Sequence, residues 1–167
     1  MPRGAVVRSQ VRRERFAEQG GFSILQLIVA FQIFAILAVT SLPAISRVLR
    51  GYRLRGAAHE ILAQLEAARL GAVMGNHRYR FLVVDTHTFQ LHDDTNSNGA
   101  VDLGETVMTR NIQRDNPGVQ INSGSSNITF TANGTASSYG TITVSNESVA
   151  TERLNVLVNA GGRVRIQ

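Results

Sequence analysis

An uninterrupted apolar segment near the N-terminus constrains this chain more than any other feature. No charged residue lies between Gln19 and Ser46, and residues 22–45 are mostly Ile, Leu, Val, Phe and Ala. At a rise of about 1.5 Å per residue, a helix of this length would cross a hydrocarbon core of roughly 30 Å. The segment therefore predicts a single membrane-spanning helix.

The residues before this segment form a basic leader. The first 21 residues contain five Arg and two Glu. A secretory signal peptide places its small cleavage residues after the apolar run. Here the pair Gly20-Gly21 precedes the run, so cleavage at this pair would remove the leader and retain the hydrophobic helix.

This arrangement resembles the leader of type IV pilins and pseudopilins. In that family a basic leader ends in Gly and is followed by Phe, a small polar residue, two aliphatic residues and usually Glu. Gly21, Phe22 and residues 23–25 match this pattern. The resemblance implies that a prepilin peptidase cleaves after Gly21 and methylates Phe22.

The resemblance also implies a location. Arg residues near the two ends of the apolar run are almost equal in number, so charge alone does not decide the orientation. By resemblance, the leader lies in the cytoplasm, one helix anchors the chain in the bacterial inner membrane, and the C-terminal domain lies in the periplasm.

Two residues of the apolar run bear on assembly. Pro43 resembles the helix-loosening proline of many pilins. Gln26 takes the fifth mature position, where most of the family has a Glu that pairs with a subunit's N-terminal amine. Gln26 can accept a hydrogen bond but cannot neutralise an ammonium group. Because some tip-located minor subunits lack this Glu, Gln26 favours a minor subunit; a tolerated polar substitution is the alternative interpretation.

The rest of the chain has the size of one soluble domain. We expect a leader at 1–21, a transmembrane and polymerisation helix at 22–45, an amphipathic helix at 46–76 and a β-rich soluble domain at 77–167. The chain has no Cys, which excludes disulfide and thiol chemistry. Without the leader it carries 12 Arg and 10 acidic residues, a net charge of +2, so a general polyanion-binding surface is not indicated.

The hydrophobic period changes from helical to strand-like along this domain. Two i, i+3, i+4, i+7 sets, starting at Ile45 and Ala58, predict a helix that packs on a sheet and ends near Gly75-Asn76. Short β-branched runs separated by turn sequences follow. They cover residues 79–85, 88–92, 106–112, 119–122, 127–131, 141–145, 154–159 and 163–167. The order predicts an α+β fold, with a long N-terminal helix packed on an antiparallel β-sandwich or curved sheet.

The second half of the chain carries a further resemblance. Ala67-Ala68-Arg69, Ile128-Thr129-Phe130, the run 140–144 and the final Gly162-Arg163-Val164-Arg165 are similar to type II secretion protein H and FimT-like minor pilins. Each of these motifs is short, and together with the leader they span most of the chain.

The loop from Asp94 to Glu105 fits the twelve-residue calcium pattern D-x-[DN]-x-[DN]-G-x5-E. Hard Ca²⁺ takes six to eight oxygen ligands, and a final Glu can supply two of them. The candidate ligands are Asp94, Asn96, Asn98, Ala100, Asp102 and Glu105. The flanks are strand-like, so this would not be an EF-hand, and a polar hairpin loop with an Asn-Gly turn is the alternative.

Arg163 and Arg165 are candidate DNA-binding residues. In a strand both guanidinium groups would point to one side and Val164 to the other. Two such groups can bind phosphates, and FimT-like proteins of natural transformation are associated with DNA through a C-terminal motif of this kind. A solvated terminal strand is the alternative interpretation.

Three functions remain open. A membrane-tethered enzyme has no supporting motif, because no nucleophile elbow, phosphate-binding loop, dinucleotide fingerprint or zinc spacing occurs. A minor pseudopilin of a type II secretion system would join other pseudopilins in a short periplasmic pseudopilus, with secreted cargo as a further partner. A FimT-type minor pilin would bind DNA for uptake. The low net charge favours the pseudopilin; no cofactor is required, with calcium as the one candidate.

Overall fold

The computed structural model describes residues 23–124 and 127–167, which form one α-helix and nine β-strands. The leader, Gly21 and Phe22 lie outside the described residues. The helix is α1 (Ile24–Gly75). The strands are β1 (Arg78–Val83), β2 (Thr88–Asp94), β3 (Val107–Asn111), β4 (Val119–Ser123), β5 (Asn127–Phe130), β6 (Ala136–Ser138), β7 (Gly140–Asn146), β8 (Arg153–Val158) and β9 (Val164–Ile166).

The chain divides between Ser41 and Leu42 into two compact units. The described part of the first unit belongs almost entirely to α1, and its side chains at 24–39 and 41 are exposed. The second unit contains the rest of α1 and all nine strands. The α+β fold predicted from the sequence, a long N-terminal helix followed by antiparallel sheets, is confirmed.

The strands of the second unit form two antiparallel sheets. The first has the order β3-β2-β1-β5-β6 and the second the order β4-β7-β8-β9. Hairpins join β1 to β2 and β8 to β9, whereas β1 pairs with β5 and β4 with β7 across intervening chain. The sheets therefore depend on pairings between residues that are distant in sequence.

One hydrophobic core joins the helix to both sheets. From α1 the buried residues are Leu54, Ala57, Ala58, Ile61, Leu65, Ala68 and Ala72. Their spacing of three and four places them on one helix face. From the sheets the core receives alternate strand residues, including Phe81, Phe89, Ile128 and Phe130. Alternation follows from the two-residue period of a strand, which turns every second side chain inward.

The two predicted helix sets have different environments. The set that begins at Ala58 lies in or against the core, as the sequence predicts. The set that begins at Ile45 does not pack on a sheet, and the expectation for it is wrong. Val48 is 75% exposed and Tyr52 is 76% exposed. Periodicity shows that a face is apolar, but not whether its partner belongs to the same chain.

Local chemistry predicts the end of the helix well and the strands less well. The helix ends at Gly75, and Asn76 adopts the left-handed conformation (φ 55°) expected of a residue just past a helix C-terminus. Strand β2 continues two residues beyond the predicted run and ends at Asp94. Strand β6 was not predicted, because its three small residues carry no hydrophobic alternation.

Gly162 lies where the helix and the two sheets meet. Its φ is +74°, and a Cβ there would approach the Gly134 carbonyl oxygen to 2.1 Å. The same oxygen accepts a 2.9 Å hydrogen bond from Arg69 Nε on α1. Only glycine fits this junction, so the Gly161-Gly162 turn has a packing role as well as a turning role.

Candidate functional site

The apolar run of α1 is the first candidate site. By length and composition, the helix could cross a membrane. Within residues 24–39 and 41 it exposes large side chains, including Phe31 at 75% and Phe34 at 74%. A single soluble chain rarely exposes so much contiguous apolar surface without an interaction to cover it.

The two assembly residues lie on this helix. Gln26 is exposed in its first turn. The helix continues through Pro43, although proline has no N–H to donate to the carbonyl of Val39. Two residues earlier, Ser41 Oγ donates to the Leu37 carbonyl at 2.7 Å, a bond type that often bends helices. The cleavage and methylation residues Gly21 and Phe22 lie outside the described residues.

A second exposed apolar surface lies at the start of the β-rich unit. Ala44, Ile45, Val48, Leu49 and Tyr52 line an open hollow of about 410 Å³. This is the face that the sequence predicted to pack on a sheet. Its exposure places an apolar face among the Arg-containing turns that follow the uncharged run.

The candidate calcium loop joins β2 to β3. Asp94, the last residue of β2, is fully buried. Its Oδ2 atom accepts a hydrogen bond from Gly99 N at 3.0 Å, and Gly99 adopts φ +80°, as the sixth position of the pattern requires. Arg78 donates to the Ser97 carbonyl and Arg80 to the Gly99 carbonyl, so β1 holds the middle of the loop in place.

The amides of the loop turn their oxygens toward the backbone. Asn96 Oδ1 accepts from Asn98 N at 2.9 Å, and Asn98 Oδ1 accepts from Ala100 N at 2.7 Å. Their Nδ2 atoms donate to Asp102 Oδ2 at 2.7 and 2.6 Å. These bonds draw Asn96, Asn98 and Asp102 together.

Glu105 closes the loop. Its side chain is 3% exposed and accepts hydrogen bonds from Asp102 N at 3.0 Å and from Asn96 N. The bond from the Asp102 N–H, with a second from His92, lowers the pKa of Glu105 to about 2. Glu105 is therefore ionised at neutral pH and aimed at the loop backbone.

His92 contacts the last residue of the candidate calcium loop, a role that the sequence analysis did not identify. It is fully buried, and its Nε2 lies 2.7 Å from Glu105 Oε2. The alternation of β2 separates it from its neighbour Asp93, which contacts His77 and Tyr79 instead. Burial, followed by the hydrogen bond to Asp93, raises the pKa of Tyr79 to about 12. Strand alternation could have predicted that His92 and Asp94 share a face.

The acidic side chains of the loop do not form a metal site by themselves. Among the described residues, no group of three or more His, Cys, Asp or Glu side chains is arranged to hold a metal ion. A cation in the loop would need the Asn96 and Asn98 oxygens and the Ala100 carbonyl as well. This mixed oxygen set suits calcium better than zinc.

Arg163 and Arg165 lie at an edge of the second sheet. Both are exposed and flank the buried Val164, as their spacing predicts. Arg165 belongs to β9 and pairs with Leu157 of β8. Arg163 lies one residue before β9, so the predicted strand start at residue 163 is wrong by one residue. Within the described residues, neither guanidinium forms an ion pair.

Known proteins resemble this chain in sequence pattern and in fold. The family model described as type II transport protein GspH matches residues 57–162. The fold is similar to that of the type IV minor pilin FimU of Pseudomonas aeruginosa (strain PAO1), solved in two crystal forms. One match has a TM-score of 0.57 at 18% identity and covers 68% of this chain and 87% of FimU. The other has a TM-score of 0.52 at 20% identity and covers 68% and 92%. No curated protein matches the sequence.

Proposed function

The chain belongs to the family of type II transport protein GspH, and from that premise we propose that it is a minor pseudopilin of a type II secretion machine. It would wait in the inner membrane after leader removal by a prepilin peptidase. It would then enter a short periplasmic pseudopilus through α1, with other pseudopilins as partners and secreted protein as cargo.

The exposed apolar surface of α1 is the observation that carries this proposal. From Ile24 to Leu49 the large apolar side chains are exposed wherever they are described. Lipid would cover them in the membrane, and the helices of neighbouring subunits would cover them in a filament. Lipid tails are as apolar as these side chains, so transfer into the filament depends on helix packing and polar contacts more than on the hydrophobic effect.

Gln26 supports a minor position in the filament. An N-terminal ammonium in an apolar core needs a counter-charge, because an unpaired buried charge is costly. Gln26 provides only a carbonyl oxygen as acceptor. A subunit with Gln26 therefore suits a position where the N-terminal ammonium group pairs with another residue or stays in water, as at a filament tip.

Deleting the gene in its own organism tests the proposal. We expect type II secretion substrates to accumulate inside the cells while surface pili remain. The unchanged gene should restore secretion. A Phe34→Glu variant should not, because it places a charge in the apolar run and leaves the β-rich core untouched. Normal secretion with loss of pili would contradict the proposal and support a type IV minor pilin.

Binding DNA as a FimT-type minor pilin is the second candidate function. Exposed Arg163 and Arg165, without ion pairs in the described part of the chain, favour it. Two phosphate contacts predict weak binding whose affinity falls about tenfold between roughly 50 and 200 mM salt.

A mobility-shift assay with the full chain in detergent micelles tests this second function. Arg163→Ala/Arg165→Ala should abolish retardation at low salt. Arg153→Ala, which removes another exposed Arg from the same sheet, serves as the control. Equal retardation by the double variant and the parent chain would exclude this site.

A further inference from the structure

A buried carboxylate oxygen at the end of β2, where the β2–β3 loop begins, has no hydrogen-bond partner among the residues that the structure describes. Asp94 is fully buried, and one of its oxygens accepts the Gly99 N–H. The other, Oδ1, is buried without a hydrogen bond from any described residue. A buried carboxylate oxygen without a donor is costly, so this position favours a bound cation.

The surroundings of Asp94 supply further oxygens in a fixed order. Gly99 N holds the carboxylate toward the interior of the loop. The Asn96 and Asn98 side-chain oxygens each accept one backbone N–H, at 2.9 and 2.7 Å, and each carbonyl oxygen has a second lone pair. Asp102 and Glu105 add two more carboxylates, both of them drawn into the loop by hydrogen bonds.

We propose that residues 94–105 bind one Ca²⁺ through oxygens of Asp94, Asn96, Asn98, Asp102, Glu105 and the Ala100 carbonyl. Asp94 Oδ1 is the ligand for which the described part of the chain supplies no hydrogen bond. The mixture of carboxylate, amide and backbone oxygens suits calcium, which accepts irregular coordination. Magnesium requires near-octahedral geometry and retains its water, so it fits this loop less well.

Calcium binding would link two strands at one edge of the first sheet. The loop connects the end of β2 to β3, which is the outermost strand of that sheet. Asp94 belongs to β2, and Glu105 lies just before β3, so a shared cation would join the two ends. His92 is a positioning residue, because its Nε2 holds Glu105 Oε2 at 2.7 Å and would not contact the cation.

Thermal unfolding of the full chain in detergent micelles, after chelator treatment, tests the proposal directly. We expect CaCl₂ at about 5 mM to raise the melting temperature by at least about 4 °C, because a ligand that binds only the folded state stabilises it. MgCl₂ at the same concentration should give a smaller shift. No shift with calcium, or an equal shift with magnesium, would overturn the proposal.

Variants of the loop locate the site. Asp102→Asn replaces an exposed ligand and should leave the fold intact without calcium while weakening calcium binding. Glu105→Gln should raise the calcium Kd at least about tenfold, the lower end of what second-shell changes alone produce. Glu66→Gln, a carboxylate on α1 outside the loop, is the matched control. A calcium response in both loop variants equal to that of the control would place the cation elsewhere and overturn the assignment.

Discussion

At the residue scale, Asp85 shows how one side chain sets a hairpin. Its Oδ1 accepts hydrogen bonds from His87 N at 2.7 Å and Thr88 N at 2.8 Å in the turn between β1 and β2. The bond from His87 N is the main reason that the pKa of Asp85 lies below its usual range. The ionised carboxylate therefore favours the folded state.

This lowered pKa predicts a defined pH dependence. The contribution of Asp85 to stability is fully present above the ordinary Asp pKa of about 4 and is lost as the pH falls through the lower pKa of the folded state. Asp85→Asn keeps an acceptor but removes the charge. Thermal melts should show the variant less stable than the parent at neutral pH, with the difference shrinking below about pH 4. A difference that stays constant with pH would contradict this role.

Residue-level prediction from the sequence succeeded where the chemistry is local. The helix end at Gly75-Asn76 and the placement of Arg163 and Arg165 opposite the buried Val164 follow from neighbouring residues alone. The bond between His92 and Glu105 depends on the path of the β2–β3 loop, and no local pattern specifies that path. The six loop positions could be named from spacing, but not the Asp94 oxygen that has no hydrogen-bond partner within the described residues.

At the element scale, α1 offers two leucines in opposite environments. Leu65 is fully buried in the core, whereas Leu70 is 59% exposed on the same helix. Their backbone setting is the same, so a difference between them reports burial alone.

Replacing each leucine by alanine should separate these environments. Leu65→Ala removes buried methyl groups and leaves a cavity, and should lower the free energy of unfolding by about 2–5 kcal/mol. Leu70→Ala should change it by less than about 0.5 kcal/mol. Denaturant unfolding of both variants in the same detergent provides the comparison. Equal losses would show that the helix does not pack through the Leu65 face.

The sequence also predicted elements unevenly. Helical spacing identified the face around Ile61 and Leu65 because that face meets the chain's own sheets. The same spacing misassigned the face around Val48, since an apolar stripe has one period whatever covers it. Strand β6 is defined by its pairing with β5 rather than by its own residues, so it could not be predicted locally.

At the scale of the whole molecule, the order of one helix and many strands was enough to predict an α+β fold. Which strands join each of the two sheets was not predictable, because β1–β5 and β4–β7 pair across long stretches of chain. The uncharged run before Ser46 predicts a membrane-spanning helix, and by length and composition α1 could cross a membrane. Within the described residues up to Ser41, the large apolar side chains of this helix are exposed.

The central claim is that the chain loses its leader after Gly21 and retains the apolar helix for assembly. Mass spectrometry of the protein isolated from its own membrane tests this most directly. We expect a mature N-terminus at methylated Phe22, with residues 22–45 present. An intact Met1 terminus in the mature protein, or cleavage beyond Ile45 that releases a soluble domain, would contradict the account.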